Sequence, residues 1–377
     1  MGSIKQNLAN NILSGGKFDA TDLDGTIPNT NINDNSIDNV TSFPAAGSGI
    51  PSVASDPPSP SAGDVWYNTT SNAFKYVGVT TTGSWATTGN LNAGRGGIGY
   101  ANQASQNSAL GFGGARGTPF PDYSAATESF NGSVWTEVND LNTGRNGLGG
   151  AGTSNTAALA FGGSSPGSPS PNGATESWNG TSWTEVNDLN NDTGNASGSG
   201  TQTSALNVGG TIEPTSTTTG ETESWNGTSW TEVADLNQSR RIMIGCGADN
   251  TTAIVMGGFI SPPVGSTTET ETWNGTSWTE VADLNTSRYA VTSFGIATAS
   301  VAVGGQTPSY STNVETWNGT SWTTDTNYLT NIAGSGGAGS STTGLSFSGN
   351  TAGDTPTTAA YEWTGAGSPV TKTVTTA

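Results

Sequence analysis

Residues 222–233 read Thr-Glu-Ser-Trp-Asn-Gly-Thr-Ser-Trp-Thr-Glu-Val, and nearly the same phrase stands at Thr175–Val186 and Thr270–Val281. Weaker copies lie at Thr127–Val138, with Phe130 in the first aromatic place, and at Val314–Thr324. The first aromatic place is filled by Phe130, Trp178, Trp225, Trp273, Trp317 and Trp363, the second by Trp85, Trp135, Trp183, Trp230, Trp278 and Trp322. Successive spacings run from 44 residues (Trp273 to Trp317) to 50 (Trp85 to Trp135). A fixed period of this length marks a repeat architecture in which each unit is one supersecondary element.

Two further elements keep the same period. One is a small-apolar run closing on a glycine pair, clear at Ala158–Gly163, Ala205–Gly210, Ala253–Gly258 and Val301–Gly305 and weaker at Ala109–Gly114. Leu345–Gly349 is a degraded sixth, with Ser348 in place of the first glycine. The other is Leu-Asn-x-x-Arg, which supplies Arg95, Arg145, Arg240 and Arg288 and is missing its arginine in the third and sixth units. Together the three elements predict a four-stranded blade. Strand A is inner and glycine-rich, strand B ends in the glycine pair, strand C carries Glu-Ser-Trp, and strand D carries Ser-Trp-Thr-Glu-Val. Asn-Gly between C and D predicts a tight type I′ hairpin. Glycines ending strand B allow close backbone approach, and the aromatics fill the space between blades.

The prediction is an all-β propeller of six four-stranded blades over 83–377. The orphan D strand at Trp85 closes the ring against the last blade. The tail Val370–Ala377 competes for that place, and a seventh, partial blade is the alternative. Residues 65–82 read as a β-hairpin connector. Residues 1–64 read as an extended attachment arm. Ile4, Leu8 and Ile12 suggest a short helix there, and Ile27, Ile32 and Ile37 recur every fifth residue. Asp56-Pro57-Pro58-Ser59-Pro60 reads as a stiff linker.

Composition narrows the chemistry. The 377 residues carry a net charge of −19 with only ten Lys and Arg. Such a surface repels phosphate backbones, so no nucleic-acid partner is expected. With no histidine, His-based triads and His-ligated metals are excluded. The single cysteine, Cys246, lies in an apolar run and reads as a buried thiol. No run approaches about 18 apolar residues, so no membrane insertion is expected. Residues 1–15 show no signal-peptide core, and Gln6 breaks the myristoylation pattern.

Other motifs carry structural readings. Asn179, Asn226, Asn274 and Asn318 match a glycosylation sequon but are explained as hairpin turns. Asp19–Gly25 falls short of a calcium loop, since Ala20 takes the first ligand position. Glu128, Glu176, Glu223, Glu271, Glu315 and Glu362 repeat in one environment, whereas a catalytic carboxylate pair needs two unlike ones. They read as structural, some pairing with the repeated arginines. The tryptophans, two per blade, read as core rather than as sugar-stacking platforms. No catalytic residue, metal ligand or cofactor site is expected, and the chain reads as a non-enzyme.

The units differ most between strands B and C, where the connections are rich in Pro, Ser and Thr. Phe120, Tyr123, Phe259 and Tyr310 stand there, and topology places these loops on one face with the D–A turns. Dissimilar loops on a near-identical scaffold suggest a binding surface, with those four residues as its apolar contacts.

A glycine pair, then an aromatic, then a tryptophan in a unit near 50 residues resembles the kelch repeat over 83–377, although Trp or Phe stands where kelch units usually have Tyr. Together with Val65–Tyr76, the phrasing also resembles virion structural and appendage proteins of marine bacteriophages, especially those of cyanobacteria. The resemblance implies a protein of the virion, assembled in the host cytoplasm. Residues 1–64 would join other virion proteins, and the propeller would meet a host surface glycan or protein. A purely structural decoration or connector protein is the alternative, and a polysaccharide-active enzyme stands behind both.

Overall fold

The computed structural model describes residues 50–61, 63–79, 82–116, 122–165, 172–212, 217–261, 265–367 and 369–373, and every regular element among them is a β-strand. The chain divides into two units, residues 83–365 and residues 1–82 with 366–377.

The larger unit is a β-propeller of six blades. Each sheet runs A-B-C-D in antiparallel order, as in Gly149–Ser154, Ala157–Phe161, Thr175–Trp178 and Trp183–Val186 of the second blade. The inner strands touch neighbour to neighbour all the way round. Closure follows the orphan-strand expectation. Ser84–Thr87 pairs with Ala360–Thr364, setting Trp85 opposite Trp363. The competing tail does not enter the ring. Pro369–Thr373 pairs with Ala73–Val79 in the smaller unit, so the propeller ends at Gly365 rather than at 377.

The glycine pairs couple each blade to the next. The second glycine donates its N–H across the boundary, as in Gly114 to Arg145 O (2.7 Å) and Gly258 to Arg288 O (2.8 Å). The first has φ between +59° and +65° in five blades. A side chain on Gly257 would start 2.4 Å from Arg288 O, which is why glycine stands there. In the sixth blade Ser348 takes the strained place at φ 60°, and its Oγ hydrogen-bonds both the N–H and the carbonyl of Arg95.

Leu-Asn-x-x-Arg anchors the turn ahead of the inner strand to strand C of the same blade. Leu141 is buried. Asn142 donates its backbone and side-chain N–H groups to Glu176 Oε2, both at 2.8 Å. Arg145, fully buried, donates to Glu176 Oε1 at 2.9 Å and to the Gly162 and Ala174 carbonyls. The set recurs as Arg95–Glu128, Arg240–Glu271 and Arg288–Glu315. In the third blade, which lacks the arginine, Asn190 and the Asn191 backbone N–H bind Glu223, and the Asn191 side chain donates to Glu221.

One turn differs from expectation. Trp178 faces Trp183, leaving four residues between strands C and D rather than the two of a type I′ hairpin. Only Gly180 has positive φ, and Asn179 Oδ1 accepts from the Thr181 and Ser182 N–H groups. The asparagine acts through its side chain. Cys246 is buried as expected, and burial pushes its thiol up to about 12.

In the smaller unit, Ser52–Val53, Val65–Asn68, Ala73–Val79 and Pro369–Thr373 form one sheet over Trp66, Phe74 and Val77. Residues 50–64, assigned to the free arm by sequence, are therefore partly built into this sheet. Asp56 ties them down, accepting from Trp66 Nε1 (3.0 Å) and Asn68 Nδ2 (2.6 Å) and pairing with Lys75 Nζ (2.6 Å). The expected helix near Ile4, the Ile27–Ile37 segment and the Asp19–Gly25 motif lie outside the described residues.

Lys75, then Asn68 and Trp66, hold the Asp56 carboxyl down at about 2. Its contribution to the sheet is present above the ordinary 3.8 and is lost as pH falls from there through about 2. An NMR titration of the Trp66 indole N–H should show a midpoint near 2 that Asp56→Asn abolishes. A midpoint at the ordinary value would mean that these contacts are absent in solution.

Candidate functional site

The D–A turns converge on the propeller axis. Each ends in a residue with left-handed backbone: Gly97, Gly147, Asn195, Ile242, Ala290 and Gly334, with φ from 51° to 62°. These six residues bond to one another in a closed circle. Gly147 N–H donates to Gly97 O (3.1 Å), Asn195 to Gly147 (2.8 Å), Ile242 to Asn195 (2.8 Å) and Ala290 to Ile242 (2.8 Å). Gly334 then donates to Ala290 (2.8 Å) and Gly97 to Gly334 (3.0 Å). Every blade thus lends one peptide group to a belt around the axis.

A cavity of about 310 Å³ opens at this belt, on the face that carries the B–C loops and D–A turns. Tyr100 lies on its inner side, its ring edge-on to Phe347 of the sixth blade and its hydroxyl beside Ser293 of the fifth. Burial pushes that hydroxyl well above its ordinary range. Farther along the axis, the first blade's A–B connection crosses the ring. Asn102 Nδ2 donates to Gly198 O (2.8 Å), Gln103 N to Gly152 O (2.8 Å) and Gln103 Nε2 to Gly295 O (2.9 Å). Gly339 N donates to Ala104 O (2.7 Å). Four other blades are engaged by three residues, which obstruct the axis at that end.

The lining is lopsided although the scaffold repeats. On one side stand Gly96, Gly97, Gly147 and Gly334, and on the other Ile242, Tyr289 and Tyr310. Glycine makes room for amides from adjacent blades. A Cβ on Gly96 would fall 2.4 Å from Asn350 Oδ1, and one on Gly147 would fall 2.6 Å from Asn195 Oδ1. Asn350 Oδ1 is buried without a protein partner. Tyr310 donates its hydroxyl to Asp354, the one carboxylate among the described lining residues. Burial and Asp354 both push the tyrosine upward, so it stays a neutral phenol.

Of the four contacts expected from sequence, Tyr310 lines the cavity. Phe259 stands behind the wall, edge-on to Tyr289 at 5.4 Å and under the Arg241 guanidinium at 5.2 Å. Tyr123 is half-buried on the short pairing with Ala115 and is not part of the cavity. Phe120 lies outside the described residues. Tyr289, Ile242 and Asp354 were not anticipated. The signal for Tyr289 was available: it directly follows the repeated Arg288, where other blades have Gly96, Asn146 and Arg241.

Among the described residues, no group of three or more acidic or cysteine side chains is arranged to hold a metal. No helix there is long and apolar enough to cross a membrane. No family model matches the chain, and no curated protein sequence matches it. Solved structures do. The structure of YjhT superposes with a TM-score of 0.60 at 12% identity, covering 73% of this chain and 96% of that one. At that identity the likeness is one of fold, and the fold is the β-propeller.

Proposed function

We propose that this chain is a kelch-type virion appendage protein of a bacteriophage, with an N-terminal segment that attaches to the particle and a propeller that binds a host surface. The observation that carries the reading is the axial cavity, which opens on the same face as the dissimilar B–C loops. The scaffold around it is repeated almost verbatim, whereas the position after the repeated arginine reads Gly96, Asn146, Arg241 and Tyr289, and Tyr310, matched in register by Tyr123 of the first blade, is bonded to Asp354 of the sixth. Individuality gathered around a concave opening marks recognition. Binding, rather than catalysis, suits a lining that has one carboxylate among its described residues and a phenol held neutral.

Replacing Phe259–Thr268 by the sister loop Gln306–Asn313 tests this reading. Particles carrying the folded variant should adsorb to host cells at least about tenfold less well. Unchanged adsorption, with the protein folded and present, would favour a decoration role. Salt should matter little, because at seawater-like ionic strength charges are screened beyond roughly 3–5 Å.

A further inference from the structure

We propose that the axial cavity holds one uncharged pyranose ring, seated against the wall made by Ile242, Tyr289 and Tyr310. The proposal rests on the binding reading above and gives it a ligand class.

The belt itself points to the wall. The fold requires left-handed backbone at six equivalent positions, and glycine meets that requirement at three of them without steric cost. Asparagine tolerates it. Isoleucine is among the residues least suited to it, because its branched Cβ crowds the adjacent peptide. Ile242 nevertheless adopts φ 51° and makes the same belt hydrogen bonds as Gly147 does two blades away. Closing the ring therefore does not explain the side chain. Strain of this kind persists where the residue serves a site, and Ile242 lines the cavity together with Tyr289 and Tyr310.

The chemistry of the lining selects a sugar. A pyranose presents an apolar C–H face and a rim of hydroxyls, each both donor and acceptor. The cavity offers an aliphatic and aromatic wall to the first. To the second it offers the amides of Asn195 and Asn350, the latter with an unpartnered buried oxygen, and the Asp354 carboxylate. A volume of about 310 Å³ is at the small end for ligand sites, enough for one ring rather than a chain. Asp354 and the net charge of −19 disfavour acidic sugars.

The test uses the full chain and ligand-observed saturation-transfer NMR, with the methyl glycosides of glucose, galactose, mannose and N-acetylglucosamine as probes and glucuronic acid as the anionic comparison. At least one neutral glycoside should give a signal that glucuronic acid does not. Ile242→Gly should leave the melting temperature unchanged or raised by a few degrees while weakening that signal at least about tenfold. Tyr310→Phe, which keeps the ring and loses the bond to Asp354, should weaken it less. No signal from any neutral glycoside, or a signal from glucuronic acid alone, overturns the proposal. So does Ile242→Gly that binds normally, or that melts several degrees lower, since Ile242 would then serve the fold. A sugar signal with adsorption unchanged by the loop exchange sinks the host-binding reading and leaves the pocket standing. Adsorption lost in that exchange, with no sugar signal, does the reverse.

Discussion

Replacing Arg145 with Met is expected to destabilise the propeller by about 3–5 kcal/mol, and Glu176→Leu by a similar amount. The guanidinium is fully buried, with its charge met by Glu176 at 2.9 Å and by two carbonyls. Glu176 in turn holds the preceding turn through both N–H groups of Asn142. Removing either partner leaves a buried ion facing apolar surroundings, and burial already disfavours the charged form of Arg145. For a domain of this size the fall in melting temperature should be on the order of 10 °C.

Replacing both partners together should cost far less than the sum. Taking two charges out of water offsets most of their attraction, so a well-packed apolar pair of similar volume is often neutral. The third blade is not such a double replacement: it keeps Glu223, held by both N–H groups of Asn190 and by the Asn191 N–H, and lacks only the arginine. Chemical denaturation of Arg145→Met, Glu176→Leu and the double variant measures the coupling. Strictly additive losses would show that the two residues act independently, against the geometry.

The blade was legible because its motif residues act within a repeat. Glu-Ser-Trp, Ser-Trp-Thr-Glu-Val and Gly-Gly each report a local requirement met six times or nearly so, and repetition exposes it. The role of Trp85 in closing the ring was legible for the same reason, being a D strand without its own blade. The belt was not. Three of its members are glycines among 55, and Ile242 reads as an ordinary apolar residue of strand A. Its left-handed conformation is imposed by neighbours on both sides of the ring, which no local pattern encodes. The obstruction by Asn102 and Gln103 was hidden because it occurs once and is satisfied by carbonyls 49 to 192 residues away, from Gly152 to Gly295. The Asn-Gly turn was misjudged on the dipeptide alone, since Thr181 and Ser182 belong to the loop and are held by the Asn179 side chain. Contrast among the B–C loops points to Tyr310 but not to Tyr289, because Tyr289 lies in a D–A turn and the cavity is shared between the two kinds of connection.

Trp183→Ala and Trp230→Ala should each cost about 3–5 kcal/mol, as large-to-small aromatic changes in a packed core do. Trp183 is 6% exposed and Trp230 5%, although both lie on outermost strands. Each fills the seam to the preceding blade. Trp183 meets Phe112 edge-on at 4.9 Å and donates its indole N–H to Thr127 Oγ1 at 3.0 Å. Trp230 repeats this with Phe161 at 4.9 Å and Thr175 Oγ1 at 3.1 Å. Tyr123→Ala, on a half-buried loop position outside the cavity, should cost far less, within about 1 kcal/mol. A finer comparison separates the hydrogen bond from the packing. Trp135 occupies the same seam position, but the sixth blade has Ala360 where the first four have threonine, and the Trp135 indole N–H has no partner. Trp183→Phe should therefore exceed Trp135→Phe by about 1 kcal/mol, the net worth of one buried hydrogen bond. Denaturant midpoints of the variants decide it. Equal losses at Trp135 and Trp183 would show that the seams are held by ring packing alone. A larger loss at Tyr123 than at Trp183 would place the outer-strand tryptophans outside the core.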